Sequence, residues 1–62
     1  MTDIQIAETE KQLVKKERRY SELMRKSFEI SLYNRQRANQ IHAKAKEVYR
    51  EIMETRRRLN YA

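Results

Sequence analysis

The chain has 62 residues without cysteine, glycine or proline, 39% of them charged, with 15 Lys and Arg against nine Asp and Glu for a net charge of +6. That length allows one domain with a modest core, the lack of cysteine excludes disulfides, and a single histidine cannot assemble an all-protein zinc site. No apolar run approaches the ~20 residues that span a bilayer, and the opening MTDIQIAETE is acidic where targeting segments are basic, so a soluble, cytoplasmic protein is expected.

Taken in chain order, the first element is a helix over about residues 3–30. Its residues are mostly strong helix formers, and Thr2 or Asp3 can cap the first free backbone amides. Successive residues 100° apart put Ile6, Leu13, Tyr20, Met24, Ser27, Phe28 and Ser31 in one arc, with Val14 and Leu23 at its margins. Glu22 with Lys26 adds an acid-then-base pair at four-residue spacing.

Next comes Ser27–Asn34, a run of middling helix propensity. Ser31 and Asn34 can both cap a new helix, and Asn34 also tolerates the left-handed conformation that often ends an old one. A turn near residues 31–34 is therefore expected, although no glycine compels it. A second helix over about 34–60 follows, with Ala38, Ile41, Ala45, Val48, Tyr49, Ile52, Met53 and Leu59 on one side and the pair Glu54 and Arg58 beside them.

Two architectures compete. A heptad register runs uninterrupted from Ile6 through Leu13, Tyr20, Ser27, Asn34, Ile41 and Val48, as in a single long helix of a coiled coil, which would be about 90 Å long at ~1.5 Å per residue. In a parallel rod, however, Glu10 and Glu17 would each face their own copy at a core position. An all-α antiparallel two-helix hairpin removes that clash and sets Glu10 opposite Arg56, so the hairpin is the preferred fold for the single domain 1–62. Each apolar arc is wider than one partner helix covers. A homodimer pairing two hairpins into a four-helix bundle, or a hairpin docked on a partner protein, is expected in consequence.

Nothing in the residues points to catalysis. His42 lacks the nucleophile a base would serve, the cluster Glu47, Glu51 and Glu54 reads as a solvated surface, and no glycine loop exists to hold a phosphate. No enzyme, metal or cofactor is expected.

The positive charge is concentrated in the second half, where eight basic and three acidic residues make +5 of the total. Arg35, Lys46, Arg50 and Arg57 fall along one border of the second apolar arc, with Asn39 beside them, and Arg37, Lys44 and Arg58 along the other. Such borders either cover the rim of a helix interface with their methylene stems or grip the phosphates of RNA or DNA. Insertion into a membrane surface is not expected, because the apolar residues are needed for packing. Among the aromatic residues, Tyr20, Phe28 and Tyr49 read as core, whereas Tyr33 at the bend and Tyr61 are exposed contact residues. The function these features favour is a small non-enzymatic helical interaction protein, an adaptor or inhibitor, that self-associates and binds a partner protein. RNA or DNA binding by the basic borders is the alternative.

Overall fold

A computed structural model describes residues 2–61, with side chains described for 2–60, so the Tyr61 side chain lies outside the described residues. Helix α1 spans Asp3–Ser31 and helix α2 spans Arg35–Tyr61, and the two pack against each other as an antiparallel hairpin. The molecule is 47 Å long across its Cα atoms, about half the length of the rod alternative.

The start of α1 is a reciprocal cap. The Gln5 amide donates to Thr2 Oγ1 at 3.2 Å, while the Thr2 amide donates to Gln5 Oε1 at 3.0 Å, so two amides with no helical partner are satisfied at once.

The turn is made without glycine because it needs no left-handed residue. Leu32 ends α1 in the right-handed region at φ −70° and ψ −21°, and no described residue has a positive φ. The amides of Tyr33 and Asn34 both donate to the Ile30 carbonyl, at 2.9 and 2.7 Å. Asn34 then opens α2: its Oδ1 accepts from the Arg37 amide at 3.2 Å, and its carbonyl accepts from Ala38 at 3.1 Å. Of the two expected caps Asn34 is the one used. The Ser31 hydroxyl turns back to the Phe28 carbonyl at 2.6 Å.

The seam is a heptad on each helix. On α1 it runs Ile6, Thr9, Leu13, Lys16, Tyr20, Leu23, Ser27 and Ile30, half-buried except for Ser27, which is buried. On α2 it runs Ala38, Ile41, Ala45, Val48, Ile52, Thr55 and Leu59, with Ile41 and Leu59 half-buried and the rest buried. Small residues dominate near the turn, and the backbones come close enough there for the Ser27 hydroxyl to donate to the Ala38 carbonyl across the interface at 3.1 Å. Farther out, Lys16 lays its stem in the seam and its Nζ donates to Thr55 Oγ1 at 3.4 Å. Thr55 in turn donates to the Glu51 carbonyl at 2.8 Å, so its buried hydroxyl is satisfied in both directions.

This seam corrects three expectations. Phe28, expected in the core, is 74% exposed, and Ser31 is exposed beside it. Leu23, expected at a margin, is half-buried in the seam together with Ile30. Tyr49 is only partly core: it is 48% exposed, with its ring 5.6 Å from that of Tyr20 in a tilted stack. The α1 arc is rotated because residues three after Ile6, Leu13, Tyr20 and Ser27 complete the seam, not those four after. The three-residue choice half-buries Leu23 and Ile30 while Glu10 stays exposed and Glu17 half-exposed, avoiding the cost of fully desolvating two carboxylates.

The expected Glu10–Arg56 pairing is also replaced. Arg56 lies 3.7 Å from Glu17, both half-exposed, and this is the one ion pair among the described residues. Side chains lean toward their own helix N-terminus. In an antiparallel pair, Glu17 therefore reaches toward the open end and Arg56 back toward the turn, so partners are offset rather than level.

Candidate interaction surfaces

The seam divides the hairpin into two broad faces. One is lined by Lys15, Lys16, Arg19, Lys44, Glu47 and Glu51, which form a charged groove beside Val48. Glu47 and Glu51, both exposed, therefore stand toward the bases of α1. On the other face, Met24, Phe28, Ser31, Arg35, Asn39 and His42 line a groove near the turn. Tyr20 with Tyr49 and Glu17 with Arg56 continue the same face toward the open end.

This second face carries four of the exposed apolar side chains, whereas Ile4, Leu32 and Tyr33 are exposed elsewhere. Phe28 is the most exposed, and Val14, Tyr49 and Met53 are each about half exposed. The shortage inside explains the surplus outside. Among the described residues only Ala38, Ala45, Val48 and Ile52 are buried apolar residues, and two of these are alanines with little surface to withdraw from water.

The five sequence-predicted binding residues are all exposed but do not form one site. Arg50 and Arg57 occupy the heptad positions of α2 that point directly away from α1, with Lys46 on the adjoining flank, whereas Arg35 stands at the turn end in the groove with Phe28 and His42. The basic row thus lies on the outward flank of α2. The border of the seam itself is occupied by His42, Tyr49 and Arg56, a consequence of Thr55 taking the core position. Tyr33, at the apex of the turn, is 89% exposed and sits beside the exposed Leu32.

Ser31 and His42, which nothing in the sequence brings together, line the same groove. They do not form a catalytic pair: the Ser31 hydroxyl is spent on the Phe28 carbonyl. Among the described residues no three His, Asp or Glu side chains stand together as metal ligands, and no helix is long and apolar enough to cross a membrane. No protein-family model, curated protein or solved structure matches the chain.

Proposed function

We propose that this chain is a small, non-enzymatic, cytoplasmic interaction protein, an adaptor or inhibitor, that self-associates and presents its turn to a partner protein. The observation that carries this reading is the imbalance of apolar surface. The described side chains include more large apolar residues substantially exposed, among them Val14, Phe28, Leu32, Tyr33, Tyr49 and Met53, than buried. Contiguous apolar surface on a small protein marks an interaction site. Leu32 and Tyr33 are set at the apex, off the broad face, and a tyrosine with a neighbouring leucine is a suitable anchor for a protein partner.

A second reading is supported by a different observation. Arg35, Lys46, Arg50 and Arg57 are all exposed and none is in an ion pair among the described residues, which leaves their charge available to the phosphates of RNA or DNA.

The two are separated by an affinity pull-down from native lysate with and without nuclease, across a salt series. For the protein partner, capture survives nuclease, changes little with salt and is lost on Tyr33→Ala. Capture that disappears with nuclease, falls steeply with salt and is lost on Arg50→Ala with Arg57→Ala overturns the first reading in favour of the second.

A further inference from the structure

We infer that the face bearing Val14, Met24, Phe28, Tyr49 and Met53 is where a second copy of this chain docks, with both turns at the same end and the dyad along the helices. This deepens the self-association proposed above and rests on it. Charge argues for the occupant. The face carries Asp3, Glu10 and Glu17 against Arg35, Lys46 and Arg56, so it is neutral, and the whole +6 of the chain lies on the remaining surface. An anionic partner would find its charge better matched on the charged groove or the outward side of α2. A second copy meets no net repulsion on the neutral face.

The division of those charges between the helices selects the orientation. All three acids are on α1 and all three bases on α2. A two-fold that reverses the hairpins would lay α1 on α1 and α2 on α2, like charge on like, with Glu17 beside Glu17 near the dyad. A two-fold along the helices keeps both turns at the same end and lays α1 of each copy on α2 of the other. Glu10 then comes level with the other copy's Arg56, and Val14 with its Met53, at ~1.5 Å rise per residue. The hairpin measures 47 by 14 Å across its Cα atoms. With side chains added, such a face is of the order of the ~800 Å² that each partner of a standard interface buries. The closed bundle would leave Leu32 and Tyr33 of both copies exposed at one end for the partner protein.

Two measurements on the full chain test this. In sedimentation equilibrium the protein should be a dimer, and Val14→Lys with Met53→Lys should raise its dissociation constant by about 100-fold or more. Helical circular dichroism should persist, because both positions are about half exposed in the single hairpin, and Lys44→Glu on the opposite face should leave the dimer intact. Spin labels on Tyr33→Cys, the only cysteine in that variant, should then lie within about 25 Å of each other; a reversed pair would hold them about 45 Å apart, the length of the bundle. A chain that stays monomeric at every concentration overturns both this inference and the self-association on which it rests, and leaves the face to a different protein. A dimer that tolerates the two lysines, or whose labels lie the length of the bundle apart, overturns this inference alone.

Discussion

At the scale of single residues, Asn34 does the work that a glycine does in many helical turns. A glycine is needed where the chain must enter the left-handed region, and here it does not: Leu32 stays right-handed and Asn34 supplies the acceptor for the Arg37 amide. The loss of that acceptor should cost about 1 kcal/mol, so Asn34→Ala should lower the urea midpoint, whereas Asn34→Asp should nearly preserve it. Equal stability of Asn34→Ala and the parent chain would show that the cap is not used. Both capping residues could be read from the sequence, since Asn and Ser are good caps in any context. The choice between them was not legible. It depends on where α1 stops, and Ser31 is still inside that helix with its hydroxyl turned to Phe28.

At the scale of the helices, the second half was read more accurately than the first. Ala38, Ile41, Ala45, Val48, Ile52 and Leu59 form a clear stripe, and they are the seam of α2. Helix α1 has two candidate stripes that share Ile6, Leu13, Tyr20 and Ser27. One adds Thr9, Lys16, Leu23 and Ile30; the other adds Glu10, Glu17, Met24 and Ser31. Each companion set mixes polar and apolar residues, so periodicity by itself does not choose between them. Desolvation does: a lysine can lie along a seam with its charge outside, but a short glutamate cannot. The Glu17–Arg56 pair follows from that choice. Exposed pairs contribute little, typically ~0.2 to 1 kcal/mol. A double-mutant cycle on Glu17→Ala and Arg56→Ala, read by chemical denaturation of the single hairpin, should return a coupling in that range, and the cycle of Glu10→Ala with Arg56→Ala should return none. Coupling through Glu10 instead would mean that the helices are offset differently along their length.

At the scale of the whole molecule, the seam is too thin for a hairpin to be comfortable alone. A small domain usually adds disulfides, a metal or self-association, and this chain has no cysteine and one histidine. If the proposed dimer supplies the missing burial, stability is linked to concentration by mass action. The thermal midpoint should rise by a few degrees over a hundred-fold increase in protein concentration, measured by circular dichroism. A midpoint independent of concentration would mean that the single hairpin is stable as it stands. The net positive charge does not oppose such pairing, because it is excluded from the face that would be covered.

The sequence by itself determined that the chain is helical and that it can divide near residues 31–34, because capping, propensity and the lack of strand-like alternation are local properties of the backbone and its nearest side chains. Only the tertiary structure decided which stripe of α1 is inside, which glutamate Arg56 meets, and that Phe28 stands in water while Thr55 is buried. Those outcomes depend on the facing helix: how closely small residues let the backbones approach, and which way each side chain leans across an antiparallel interface. Neither quantity belongs to any one residue or to either helix alone.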